Sequence, residues 1–313
     1  MNDPFSLSVS VVIPTLHRSE DIRRALSSLA LQTVPVQQIL VIDQSSDLKT
    51  KNVVAEMKTK YAALEKSLIY NYFQERSAVK ARNFGINLAD SDIISFMDDD
   101  SELFPDYYEN VIRYFNEDPG LGGVGGSVIY EKEPEGFKWE LRKQLSRFFL
   151  LNRWNGSMTP SGFGYPIYER AVREMTPVQM LHGCNMNFRR SLIGSERFDE
   201  WFIGYSFRED AEFTYRLSKR AKILMVPDAK LYHHESPSNR LDVENLKRME
   251  IRNYYYVFSK HKYRNFCSKF LFMWSLSGIL FMDLLEFLSK RNRIKYRKLC
   301  ACLGASWEVL AKK

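Results

Sequence analysis

Cysteine is scarce in this chain. Cys184, Cys267, Cys300 and Cys302 are its four, and no two form a C-x-x-C pair. That spacing excludes the usual zinc frameworks, and so few, irregularly placed thiols fit a reducing compartment. Glycine is absent from residues 11–20 (VVIPTLHRSE). The Gly-rich basic loop that a nucleotidyltransferase would place there to hold phosphates is therefore missing. No zinc-finger or aromatic RNA-binding signature is present, which sets nucleic acid aside as a partner. No internal repeat or low-complexity tract is visible. No secretory signal opens the sequence; residues 1–10 are polar and run straight into a strand pattern, so a cytoplasmic location is expected. The apolar stretch from Phe270 to Met282 (FLFMWSLSGILFM) has 13 residues, short of the roughly 20 that span a bilayer.

The 313 residues are enough for one large domain or a domain with an appendage, and 45% are hydrophobic. Such a chain can bury a core without disulfide or metal staples. The formal charge of +7 calls for an anionic partner. The basic residues gather near the C-terminus, in Lys260, Lys262, Arg264 and Lys269, and again from Lys290 to Lys298. They flank the apolar stretch, a pattern expected of a helix lying on a membrane surface. The alternative is a buried helix or a dimer contact.

Strand and helix patterns alternate through the first half. Residues 7–14, 39–43, 68–73 and 92–97 read as strands. A helix from Ser19 carries Ile22, Ala25, Leu26 and Leu29 on one face, and further helices are expected over 53–64, 78–89 and 104–116. This order predicts an α/β fold with a mainly parallel sheet. The alternation weakens after Gly126. Residues 134–180 read as a less regular insertion, and from about Asp242 the chain becomes helical and basic.

The strand pattern ending at Met97 stops abruptly in Asp98, Asp99 and Asp100. Ligands of parallel sheets sit at the carboxyl ends of strands, and oxygen-rich acidic sites suit Mg²⁺ or Mn²⁺ with substrate phosphates. The competing reading is a solvated turn with capping aspartates. Lys80 and Arg82 lie on the helix before this strand; a guanidinium pairs with phosphate in a bidentate fork, although either cation could instead belong to a solvated helix face. Glu209 and Asp210 open an amphipathic pattern where negative charge is favoured by the helix dipole. His233 and His234 end an alternating run, placed to supply a nitrogen ligand. The composition of residues 236–240 (SPSNR) leads to the expectation of a mobile loop, with Arg240 placed to close over a diphosphate.

Six segments carry a family resemblance: VVIPT (11–15), ILVIDQSS (39–46), KARNFGI (80–86), FMDDDSELFPDY (96–107), GCNMNFRR (183–190) and FDEWF…REDAEFTYRL (198–217). In this order they resemble glycosyltransferase family 2, over about residues 8–240. The resemblance implies a GT-A fold: a Rossmann-like mixed, mainly parallel sheet flanked by helices, here with a helical basic extension. It implies an inverting, metal-dependent sugar transfer from a UDP-, dTDP- or GDP-sugar. Pro14, Thr15 and Asp43 would meet the base and ribose, although this chain reads DQSS where relatives often read DDGS. Asp98 and Asp100 match the D-x-D pair; Asp100 is expected as the direct metal ligand, Asp98 on ribose or metal, Asp99 as an assistant, and His233, or else His234, as a further ligand of Mn²⁺ or Mg²⁺. Asp210 is expected as the general base, Glu209 as the residue holding the acceptor, and Asn185 as a sugar contact.

The implied organisation is a glycosyltransferase domain over 1–240, with a nucleotide half at about 8–126 and an acceptor half at 127–240. A helical, basic-apolar region at 241–313 follows, for which membrane association is the expectation. The expected acceptor is a glycan or a polyprenyl-diphosphate-linked glycan in surface polysaccharide assembly, at the inner face of the cell membrane. The rival reading is an inactive membrane-associated scaffold of such an assembly; retention of Asp43, the aspartate triplet and Glu209-Asp210 speaks against it.

Overall fold

A computed structural model describes residues 7–236 and 241–311, which divide into two compact units. The first comprises the described residues up to Glu133 and those from Ile167 to Ser236. It opens with β1 (Val9–Thr15), α1 (Ser19–Ala30), β2 (Gln38–Asp43), α2 (Lys49–Lys60), β3 (Leu68–Tyr72), α3 (Ala78–Leu88) and β4 (Ile93–Phe96). The strand patterns expected over 39–43, 68–73 and 92–97 appear within a residue or so of those limits. Then come β5 (Ser101–Leu103), α4 (Tyr107–Glu117) and β6 (Leu121–Val128). The chain passes through α5 (Phe137–Phe148) of the other unit and returns with β7 (Thr176–Pro177), β8 (Met186–Arg189), α6 (Arg190–Ile193), α7 (Glu209–Leu217) and β9 (Lys222–His233).

The sheet runs β3-β2-β1-β4-β8-β6-β9-β5, with β7 on β9. β3, β2, β1 and β4 are mutually parallel, β8 is antiparallel to both β4 and β6, and β9 is parallel to β6. Because β8 runs backwards, its first residues lie at the edge where β1, β2 and β4 end: Phe96 pairs with Met186. β9 ends there too, with His233 opposite Ser101. One face buries Val9, Val11, Ile13, Ile39 and Val41 against Ile22, Leu26 and Leu29 of α1, the period-two and period-3.6 pattern read from sequence. On the other, α3 crosses β1 so closely that a Cβ at Gly85 would lie 2.2 Å from Val12 Cγ1. β6 escapes a propensity reading because half of it is glycine; a Cβ at Gly123 would meet Phe188 at 2.7 Å.

The second unit takes in Pro134–Pro166 as well as the C-terminal region. Its described elements are α5, α8 (Val243–His261), α9 (Phe266–Lys290) and α10 (Arg293–Ala311). The boundary expected at 240–241 therefore omits a segment. The reason is packing: Leu151 and Phe163 of that segment join Tyr254, Phe258, Phe272, Leu276 and Cys302 in one apolar core. The stretch read as irregular also contains a helix. α5 buries only Trp139 and Ser146, too few positions to leave a periodic signal. α9 is apolar on both sides. Phe272, Leu276 and Ile279 are buried, while Phe266, Phe270, Met273, Phe281, Leu284 and Leu288 form an exposed stripe. It is long and apolar enough to cross a membrane, though a third of its most apolar window is buried; the 13-residue stretch understated it.

Candidate active site

The acidic triplet follows β4 and each carboxylate faces a different partner. Asp99 points back to β1: its Oδ2 accepts from Thr15 Oγ1 at 2.7 Å and its Oδ1 from Arg18 at 3.0 Å. Burial pushes Asp99 up to about 7, against the pull of Arg18 and Thr15. Asp100 faces β9, with Oδ1 3.1 Å from His233 Nε2 and Oδ2 accepting from the Ser236 N–H at 2.8 Å. Burial opposes its ionisation, but His233, that N–H and Arg18 hold it down at about 2. Asp98 faces α3: Oδ1 accepts from Arg82 Nη2 at 2.9 Å, and Oδ2 lies 4.0 Å from His233 Nε2.

The second acidic pair comes from α7. Phe213 of this helix stacks on Phe198 at 4.0 Å, and Phe96 of β4 meets Phe198 edge-on at 5.1 Å. The aromatic cluster thus fixes the start of α7 beneath the end of β4. Arg208 precedes the helix in the left-handed region, turning Glu209 inward. Glu209 Oε1 accepts from Arg82 Nη1 at 2.7 Å. Burial and the neighbouring Asp210 push Glu209 up to about 8, against the attraction of Arg82. Asp210 Oδ2 accepts from the Gly183 N–H at 2.8 Å and Oδ1 from the Ala211 N–H at 2.6 Å.

Asp98, Asp100 and His233 could hold a metal ion. Two carboxylates and an imidazole suit an ion of the Mn²⁺ or Mg²⁺ type. The 3.1 Å between Asp100 and His233 is about the donor separation of an octahedral ion with bonds near 2.1 Å. The adjacent histidine faces away: His234 Nε2 sits 2.8 Å from Glu102.

A family model for glycosyl transferase family 2 matches residues 10–195, more than half of the chain. The chain belongs to that family. It is 26% identical to the GalNAc(5)-diNAcBac-PP-undecaprenol beta-1,3-glucosyltransferase of Campylobacter jejuni, over 63% of this chain and 56% of that one. It is 25% identical to the minor teichoic acid biosynthesis protein GgaB of Bacillus subtilis, over 74% of this chain and 23% of that one. The chain thus spans about half the length of the first relative and a quarter of the second. Among solved structures it superposes on the mannosyltransferase PcManGT of Pyrobaculum calidifontis in complex with GDP-Man and Mn²⁺. The TM-score is 0.61 at 16% identity, covering 99% of this chain and 89% of that one; the two share the GT-A fold.

The residues expected to serve the site lie as follows. Arg82, expected on phosphate, is buried between Asp98 and Glu209 over the Phe198 ring. Lys80 lies on the surface, paired with Glu75. Asn185, expected on the sugar, is buried with its amide engaged at both ends by the Gly126 backbone, at 2.8 and 3.3 Å. Glu209, expected to hold the acceptor, is buried on Arg82. Asp43 is fully buried, accepting from the Ser45 N–H and the Tyr70 hydroxyl at 2.9 Å each. Pro14 and Thr15, expected at the nucleotide, are the last two residues of β1. Arg240 lies outside the described residues. Sequence reasoning missed Arg18; the available signal was a cation just past a strand end, facing an acidic cluster.

Proposed function

We propose that this chain transfers a glycosyl group, with inversion, from a nucleotide-diphosphate sugar to a hydroxyl of a glycan or lipid-linked glycan. The observation carrying the reading is that two acidic pairs far apart in sequence, Asp98/Asp100 and Glu209/Asp210, meet at one sheet edge through a shared arginine. Asp98, Asp100 and His233 would hold Mn²⁺ or Mg²⁺, which when bound would neutralise charge on the departing diphosphate; a neighbour of the same fold carries Mn²⁺ with GDP-Man. Asp210 takes the proton of the acceptor hydroxyl, whose oxygen bonds to the anomeric carbon as the bond to the diphosphate oxygen breaks. The nucleoside diphosphate leaves and the carboxylic acid loses its proton to water. Pro14 and Thr15 would line the nucleotide side, with Asp43 buried behind them on Ser45 and Tyr70 and Asp99 held by Thr15 and Arg18.

The exposed stripe of α9, flanked by Lys262, Arg264, Lys269, Lys290, Arg291 and Arg293, supports peripheral attachment to the cytoplasmic face of the membrane. There a polyprenyl-diphosphate-linked acceptor would be presented; one relative's name carries a PP-undecaprenol acceptor and another's teichoic acid. Flotation with phosphatidylglycerol vesicles tests this: removing residues 266–313 should abolish binding, and unchanged binding counts against it. The activity is tested with UDP-, GDP- and dTDP-sugars plus Mn²⁺ or Mg²⁺, recording nucleoside diphosphate release. Release from one donor, lost with chelator, is expected. Silence, together with no metal-dependent nucleotide binding, would favour the scaffold.

A further inference from the structure

Arg82 is the side chain through which the two acidic pairs touch. It is 4% exposed, donates through Nη2 to Asp98 at 2.9 Å and through Nη1 to Glu209 at 2.7 Å, and rests over the Phe198 ring. Its Nε is buried with no hydrogen-bond partner among the described residues, so the side chain is held from its two terminal nitrogens alone. The backbone fits around it: a Cβ at Gly183 would lie 2.9 Å from Nη2 and 3.5 Å from Asp210 Oδ2. Gly183 is also the residue whose N–H holds Asp210.

Resting on the transferase reading, we propose that Arg82 is a positioning residue that couples the donor side of the site to the base, and that it makes no contact with the donor. Each bond fixes one oxygen of a carboxylate and leaves the other group free to act. On Asp98 it engages Oδ1, so Oδ2 turns toward His233. On Glu209 it engages Oε1, which locks the first turn of α7 and with it the direction of Asp210. A planar guanidinium spans both carboxylates at fixed angles, whereas a lysine ammonium can neutralise charge but cannot reproduce the fork. A donor phosphate would compete with two carboxylates already at hydrogen-bond distance of a buried guanidinium.

The test separates positioning from donor binding. With the full-length protein and the donor identified above, Arg82→Lys should lower kcat about 100-fold, the scale of a small misplacement of reacting groups. The donor KM, and the Kd of the corresponding nucleoside diphosphate with Mn²⁺ by calorimetry, should stay within about threefold. Arg82→Lys combined with Glu209→Gln should be no slower than Arg82→Lys alone. Gly183→Ala, which crowds Nη2 without removing charge, provides the same test should the lysine variant not fold, and should show the same split. A tenfold weaker nucleotide Kd with kcat intact would overturn the proposal and make Arg82 a donor ligand. So would losses that multiply in the double variant, or a kinetically silent Gly183→Ala. An inactive wild type, by contrast, would count against the transferase reading itself.

Discussion

Each unit buries a network of charges, and the two are composed differently. In the helical unit Lys247, Lys290, Lys295 and Lys298 meet Glu250, Asp283 and Glu286, at least one cation for each anion. At the sheet edge, among the described residues, Asp98, Asp99, Asp100 and Glu209 pair with Arg18, Arg82 and His233, and Asp210 lies beside Glu209. The acidities follow. Burial pushes Glu286 up, but Lys295 and Lys298 hold it down at about 2, whereas Glu209 rises to about 8 and Asp99 to about 7. In the helical network each anion already meets a lysine, and the pairs link α8, α9 and α10. The anion-rich edge would, in the proposed transfer, receive a cation and a proton.

The contrast is broken most directly by removing charge at the sheet edge. Asp210→Asn should lower turnover by about 1,000-fold, within the range for loss of a general base, with little change in melting temperature. Asp100→Ala should abolish metal-dependent nucleotide binding in calorimetry. In the helical unit the signs reverse. Asp283→Ala leaves Lys247 buried with one fewer partner and should cost about 3 kcal/mol in urea unfolding. Nucleotide affinity should not move. If Asp283→Ala instead silenced turnover, the division between a structural and a working network would fail.

The acidities give a second separation. Glu209 binds its proton more tightly in the fold than in the unfolded chain. The stability it contributes is therefore complete below the ordinary glutamate range and is lost as pH rises through about 8. The loss approaches about 1.4 kcal/mol per pH unit. Glu286 has the opposite sign: its contribution is present above the ordinary range and lost as pH falls through about 2. Urea unfolding at pH 6 and 9 should show wild type losing stability with alkalinity relative to Glu209→Gln. Equal slopes would mean that Arg82 compensates Glu209 fully.

These differences also mark what the sequence could show. Strand ends were legible, because an apolar run that stops in Asp98–Asp100 announces where it ends. So was α1, whose Ile22, Ala25, Leu26 and Leu29 keep one face. β6 was not, because its glycines carry no side-chain pattern and matter only through what packs against them. Neither was the partner of each charge. Arg82 and Glu209 are separated by more than 120 residues, and nothing local distinguishes a guanidinium reserved for carboxylates from one awaiting phosphate. The partner of Asn185 was hidden for a similar reason: its amide bridges the Gly126 backbone, a contact that exists only once the strands are paired.

The smallest expected effect tests that point within a single helix. Lys80 and Arg82 are two positions apart, so they leave α3 in nearly opposite directions. Arg82 goes inward to Asp98 and Glu209, while Lys80 reaches Glu75 on the surface. Surface ion pairs contribute little, so Lys80→Ala should leave the melting temperature and kcat unchanged and alter the nucleoside diphosphate Kd by less than about threefold. Conservative replacement of Arg82 should slow catalysis markedly at the same affinity. A tenfold loss of nucleotide affinity in Lys80→Ala would show that this ammonium leaves Glu75 for the diphosphate. The donor's negative charge would then be met from the rim of the site, and the buried cation would be left to its carboxylates.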